Sequence, residues 1–362
     1  MLQLPLHAIH RERGARFADY GDYTLPEHYG DPLGEYHAVR NHVGLADLSH
    51  QGKILLTGSD RLPFLQKLIS NDTALLTDTA GIYATLLTAK GKILSDFYLF
   101  ALPEALFMEI EATNVENTKA HLMRFRMRSR VEMASPPWGK LLLSGPEASQ
   151  VLENYFGNPL PLMGEKSFFA KEVDGTSLLC IKRSFTGEAD YHLYYPAEKI
   201  ASLWHGLFSA AGTHTIIPVG QTALEVLRIE AGSPRYGIDL DDEILPVEAG
   251  IQTEAISYTK GCYPGQEVIA RLKTYGHANK HLFGLIVEGD TLPKRGDLVL
   301  QGNKEIGIVS SAAMSPLLGT GIAMGYLRTK IAVAETPVSI KMNQGSAQAK
   351  VAALPFYKRT SL

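Results

Sequence analysis

The sequence predicts an α+β chain with a separate C-terminal β-barrel, on three observations. The chain has 362 residues, and single hydrophobic cores stop growing near ~250–300 residues, so two or three domains are expected. Its first third reads strand, helix, hairpin, strand, an order that belongs to α+β architectures rather than to a doubly wound sheet. After Lys280 the texture changes to short strands broken by glycine, with little helix. The boundary is expected near Tyr275–His281. It gives residues 1–275 as an N-terminal region of two interleaved α+β subdomains and residues 276–362 as the barrel domain.

Taken in order, the opening segment reads as a loop or short helix. The Gly, Asp and Pro density of Tyr20–Pro26 then predicts irregular structure, and a helix is expected around Gly34–His42. Lys53–Thr57 is a short apolar run ended by Gly58-Ser-Asp60, the punctuation of a strand passing into a turn. Asp60 is placed to cap a helix over Arg61–Ile69, where Leu62, Leu65, Leu68 and Ile69 fall at helical spacing. Gly81–Leu87 and Ile93–Phe100 are strands joined by a hairpin at Ala89–Lys92. Val115–Phe125 is helical and Val131–Met133 begins another strand. Leu141-Leu-Leu-Ser-Gly-Pro-Glu-Ala148 then repeats the theme of Leu55-Leu-Thr-Gly-Ser-Asp60, which suggests a duplicated strand–turn–helix unit. The barrel strands read as Leu282–Val287, Leu298–Leu300, Gly307–Ser311 and Val338–Met342.

Composition narrows the function. Lys+Arg is 35 against Asp+Glu 38, a net charge of −3, which excludes a whole-surface field for nucleic acid. The two cysteines, Cys180 and Cys262, are too few for a disulfide framework or a cysteine-rich metal site. No run approaches the ~18 apolar residues of a membrane span, and Arg11 and Glu12 interrupt any apolar leader. A soluble, cytoplasmic protein is expected, without membrane, metal or strong direct nucleic-acid binding.

The densest unusual segment is Lys260-Gly-Cys-Tyr-Pro-Gly-Gln-Glu267, an irregular loop with Cys262 beside a cation that would favour its thiolate. A buried cysteine in a tight turn is the competing reading, and Cys180, in the apolar strand Ser177–Ile181, reads as core. Asp96 stands inside Ile93–Phe100, where an acid faces either water or a partner; there it could position or deprotonate a nitrogen of a bound heterocycle. Glu188, Asp190 and His192 follow Arg183 in a turn and could serve hydrogen bonding or metal ligation; solvated turn acids are the preferred reading over metal ligands. Arg124, Arg126, Arg128 and Arg130 read as a solvated helix end running into a strand. No Walker-type loop, dinucleotide fingerprint or Gly-x-Ser-x-Gly elbow is present.

In order along the chain, Val39–His50, Phe64–Asp72, Tyr83, Gly91 with Asp96, Arg183 through Glu188, Arg228-Ile-Glu-Ala231 and Pro355–Lys358 resemble the glycine cleavage T-protein (aminomethyltransferase) superfamily. The resemblance implies a three-domain cloverleaf around a central folate pocket. Within the superfamily, Lys260, Gly261, Cys262, Tyr263, Gly265, Gln266 and Glu267 resemble the motif of YgfZ-type folate-binding proteins. That resemblance implies tetrahydrofolate binding and service to iron–sulfur enzymes, including tRNA-modifying ones, with Cys262 acting on iron–sulfur proteins or their assembly factors. The alternative is an aminomethyltransferase that takes methylene from a lipoyl carrier protein.

The same resemblance implies the site. Asp96 is the catalytic acid, and Tyr83, Glu111, Phe185, His192 and Arg228 are the folate contacts. Glu111, Phe185 and His192 stand where T-proteins carry Asn, Tyr and Glu, so folate binding with weak or absent methylene transfer is expected. Tyr83 and Phe185 would wall a flat pterin, and Arg124–Arg130 would attract the glutamate tail.

Overall fold

The computed structural model of the chain describes residues 1–276, 278–329, 333–343 and 345–359. Among these residues the strands form a three-stranded sheet, a five-stranded sheet, a six-stranded sheet and a closed six-stranded barrel. No described helix is long and apolar enough to cross a membrane.

Two lobes follow one plan. The first runs from strand Gly52–Thr57 through helix Arg61–Gln66 and the antiparallel strands Ile82–Leu87, Ile93–Ala101 and Leu106–Ile110. Helix Val115–Arg126 and strand Glu132–Ala134 complete it. The second runs from Trp138–Ser144 through helix Ala148–Phe156 and strands Ser167–Val173, Thr176–Lys182 and Asp190–Pro196. Helix Ile200–Ser209 and strand Ile216–Pro218 close it. In each lobe the opening strand pairs antiparallel with the last strand of the three. In the second lobe Val43–Asp47 is inserted between the opening and closing strands. The short strand–turn–helix repeat seen in the sequence is therefore the start of a duplication that runs through both lobes.

The two sheets meet along an aromatic seam of Phe100, Phe107, Phe168 and Tyr194 with Leu179 and Ile181. Edge-to-face contacts set its spacing, with ring centroids 5.5 Å apart for Phe100–Phe168 and 4.9 Å for Phe107–Tyr194. The third lobe is the barrel, whose strands are Lys280–Val287, Leu298–Gln301, Lys304–Ser315, Thr320–Arg328, Pro337–Met342 and Gly345–Ala352. Helix Gln221–Glu230 ties the lobes together. Its Ala223, Leu224 and Leu227 pack on Tyr36, Val39 and Leu142, while Ile229 packs on Ala313, Ile322 and Met324 of the barrel.

Several local expectations are corrected. Tyr20–Pro26 is not irregular: Arg16–Tyr20 and Tyr23–His28 pair as a hairpin, turned at Gly21 with φ of 59°. Pro26 sits next to a register shift at Arg16/Phe17, where its missing N–H is tolerated. Asp60 does not cap its helix with its side chain; its carboxylate accepts instead from the Arg130 backbone N–H at 2.7 Å. That helix ends at Gln66 rather than Ile69, because Ile69 bridges to Leu86 of the sheet. The strands Thr320–Arg328 and Gly345–Ala352 were hidden by small residues, which make them look like loops. Gly325 is small for a reason, since a Cβ there would lie 2.7 Å from the Ile308 carbonyl. In the expected boundary segment Tyr275–His281, His277 lies outside the described residues.

Candidate functional site

A cavity of about 910 Å³ opens where the three lobes meet, within the size range of small-molecule sites. The first lobe contributes Tyr83, Asp96, Tyr98, Glu109 and Glu111, and the second contributes Arg183 and Phe185. Arg228 and Arg235 come from the bridging helix and the segment after it, and Leu282, Phe283 and Tyr357 from the barrel and the C-terminal tail.

Strand pairing explains the cluster. Antiparallel register sets Thr85 opposite Asp96 and Tyr98 opposite Glu109, so residues two apart on adjacent strands share one face. Asp96 Oδ2 accepts from the Tyr83 hydroxyl at 2.7 Å. Burial pushes the Asp96 carboxyl up to about 6; the Tyr83 hydrogen bond opposes this and the Glu111 charge adds to it. The Tyr83 and Tyr98 rings lie 4.7 Å apart at 30°, and the Arg183 guanidinium covers Tyr98 at 4.2 Å. One wall is thus a cation–aromatic layer.

Arg183 is held by Glu109, which also accepts from Lys140 Nζ at 2.8 Å and the Tyr194 hydroxyl at 2.6 Å. Burial alone would raise the Glu109 carboxyl, but Arg183 and Lys140 hold it well below the usual range. Burial pushes the Lys140 ammonium down to about 7, against the pull of Glu109. Neither Glu109 nor Arg183 was singled out as a site residue. Glu109 carried the same signal as Asp96, an acid inside an apolar strand, and could have been found by it.

Of the expected folate contacts, Tyr83, Asp96, Glu111, Phe185 and Arg228 line this one cavity. Arg228 is nevertheless only 2% exposed. Its guanidinium donates to Asp239 at 2.8 Å and Ser311 at 2.9 Å and pairs with Glu225, so it fixes the wall rather than offering free donors. His192 does not line the cavity. It is 1% exposed and its Nε2 lies 2.9 Å from the Arg183 carbonyl, behind the residue that does. Burial holds its imidazole well below the ordinary range, and hence neutral. Arg124–Arg130 also lie outside the cavity; the basic residues lining it are Lys166, Arg183, Arg228, Arg235 and Lys358.

The Lys260–Glu267 loop serves the fold. Lys260 Nζ donates to the Gln66, Ile69 and Asn71 carbonyls at 2.6, 2.7 and 2.9 Å, pinning the turn after helix Arg61–Gln66. Its ammonium is therefore committed to the backbone and not to the Cys262 thiol. Tyr263 is buried with Tyr83, Leu87 and Ile269. Gly265, at φ of 81°, lets the chain pass Gly91; a Cβ would lie 2.5 Å from the Thr88 carbonyl. Gln266 and Glu267 open the helix Gln266–Tyr275. Cys262 is exposed and does not line the cavity, whereas Cys180 is buried and its thiol is pushed up by burial. Alkylation of native protein at pH 7.5 is expected to label Cys262 alone, with Cys180 labelled only after unfolding; peptide mapping checks this.

Residues 6–260 match the GCVT N-terminal domain, and residues 280–358 match the glycine cleavage T-protein C-terminal barrel domain. The aminomethyltransferase of Halothermothrix orenii is 31% identical, over 98% of this chain and 100% of its own length. That of Rubrobacter xylanophilus is 30% identical, over 98% of this chain and 94% of its own. The glycine cleavage system aminomethyltransferase T from Bartonella henselae, known from its crystal structure, superposes with a TM-score of 0.90 at 25% identity. That match covers 100% of this chain and 99% of the other. The expected role in serving iron–sulfur enzymes, with Cys262 acting on iron–sulfur partners, is overturned. Full-length similarity runs to aminomethyltransferases, and the cysteine behind that expectation lies away from the cavity. Domain by domain and over its whole length, the chain belongs to the glycine cleavage T-protein (aminomethyltransferase) family.

Proposed function

We propose that the protein moves a one-carbon unit from an aminomethyl-lipoyl carrier protein to tetrahydrofolate, with release of ammonia. The observation that carries this reading is Asp96. It is a carboxyl held by Tyr83 in the central cavity of a chain of this family, and burial tunes it to about 6. The cavity suits tetrahydrofolate in size and in its donor set. A pterin is flat and rich in N–H groups at its edge, and here it meets the Tyr83–Tyr98 layer and the acceptors Asp96 and Glu111. Arg235 and the exposed Lys358 suit the carboxylates of its glutamate tail.

When bound, tetrahydrofolate supplies the two amine nitrogens that take up the carbon. Asp96 is ionised above about pH 6 and accepts an N–H proton through Oδ, while the Tyr83 hydroxyl keeps that carboxylate oriented. Arg183, stacked on Tyr98 and anchored by Glu109, holds the wall in place so that positioning is preserved. The loop Lys260–Glu267, which carries the YgfZ-type likeness, clamps the turn after helix Arg61–Gln66 of the first lobe.

Titration calorimetry with tetrahydrofolate tests the binding half of the reading. Saturable heat is expected, with thermal protection worth ~2.7 kcal/mol at a hundredfold excess over Kd. No heat and no protection would overturn it.

A further inference from the structure

A second cavity, of about 520 Å³, adjoins the first. Six residues line both: His50, Gln51, Glu111, Gln221, Arg235 and Tyr236. These side chains form the partition between the two spaces, and Glu111 is the carboxyl among them. Asp96 lines the larger cavity only, whereas Tyr20, Tyr23 and Lys53 line the smaller only. His50 also lines both cavities, and its Nδ1 is buried without a hydrogen-bond partner among the described residues. Burial keeps that imidazole neutral, pushing it down to about 3. The shared lining therefore holds one carboxyl and one unpartnered ring nitrogen, groups of the kind that bind a small amine.

Resting on the function proposed above, we propose that Glu111 is a second catalytic residue. It gives a proton to the departing amine, and the smaller cavity is the path by which ammonia leaves. The balance closes without any redox step. The C–N bond of the aminomethyl group breaks with its electron pair going to nitrogen, which takes the Glu111 proton and leaves as NH₃. Carbon gains two bonds to folate nitrogens, which lose two protons. One proton returns through Asp96 to Glu111, and the other goes to the lipoyl sulfur as the C–S bond breaks.

The charged groups facing Glu111 are Asp96 on the neighbouring strand, Arg235 after the bridging helix, Arg228 on that helix and Lys140 in the second lobe. Burial raises the Glu111 carboxyl, and Arg235, the Ala112 amide, Lys140 and Arg228 pull it back. This leaves Glu111 and Asp96 electrostatically coupled, and the coupling can be read in the ligand-free protein.

The test compares wild type, Glu111→Gln and Glu111→Asp in single turnovers with an aminomethyl-lipoyl carrier and tetrahydrofolate. Glu111→Gln is expected to slow ammonia release by ~10²-fold or more with tetrahydrofolate saturating, a loss beyond any weakening of tetrahydrofolate binding from the missing acceptor. Glu111→Asp is expected to keep the shape of the pH profile at a reduced rate, and it decides the matter if the Gln variant does not fold. In ligand-free Glu111→Gln, carbon-13 NMR should find Asp96 titrating lower than in wild type, because its neighbour's charge is gone. Wild-type ammonia release by Glu111→Gln with an unchanged pH profile, or an unmoved Asp96 titration, overturns this inference alone. A wild type that releases no ammonia removes the transfer reading and this inference with it.

Discussion

Asp96→Asn is expected to lower the transfer rate by ~10²–10⁴-fold, the usual range for removing a positioned general base, while leaving tetrahydrofolate affinity within a few-fold. Asparagine keeps the shape and can still accept from Tyr83, but it cannot take a proton. The wild-type rate should fall as the pH drops through about 6, where Asp96 becomes protonated. The variant should lose that acid limb.

Stability moves the other way. Burial raises the folded carboxyl from 3.8 to about 6, so the fold disfavours the ionised form. Below about pH 4 both folded and unfolded chains are protonated and the group contributes nothing. Above about pH 6 the folded chain carries the whole penalty, at most ~3 kcal/mol from the size of the shift. Asp96→Asn should therefore be more stable than wild type at pH 7.5, with the difference vanishing by about pH 4. Urea unfolding at the two pH values checks this. A variant less stable than wild type at pH 7.5 would show that the carboxylate is a structural ion and not a poised base.

Glu109→Gln is expected to be the most damaging single change near the cavity. It leaves Arg183 and Lys140 buried without their shared carboxylate, and breaking a buried pair from one side typically costs ~3–5 kcal/mol. The wild-type advantage should be full above about pH 4.5, the range in which an unfolded glutamate is already ionised. It should shrink as the pH falls toward the depressed folded value of Glu109. Because Arg183 covers Tyr98, the same variant should weaken tetrahydrofolate binding even where it remains folded. Equal stability of variant and wild type at pH 7.5 would contradict this reading of the cluster.

The sequence exposed the parts of the site whose signal is local. Asp96 stood out as an acid in an apolar strand, and the hairpin at Ala89–Lys92 places it, with Gly91 at φ of 75° making the turn. The paired lobes were visible only as a six-residue theme, because strand order depends on pairings between distant segments. Arg183 and Glu109 lie 74 residues apart in the chain, and no spacing rule joins them. His192 was misplaced for the related reason that its strand, Asp190–Pro196, is buried on both faces, so alternation does not say which side chains reach the cavity. The cysteine loop misled because glycine, proline and lysine in an irregular segment look functional. In the fold, its lysine satisfies three backbone carbonyls and its second glycine clears a close crossing.

The most direct measurement is a single turnover with a carrier protein bearing a carbon-13-labelled aminomethyl-lipoyl group, mixed with this protein and tetrahydrofolate. Label is expected to appear in methylene-tetrahydrofolate with one ammonia released per carbon, and Asp96→Asn should suppress both. Label remaining on the carrier at wild-type Asp96, under conditions where tetrahydrofolate is bound, would contradict aminomethyl transfer as the function of this cavity.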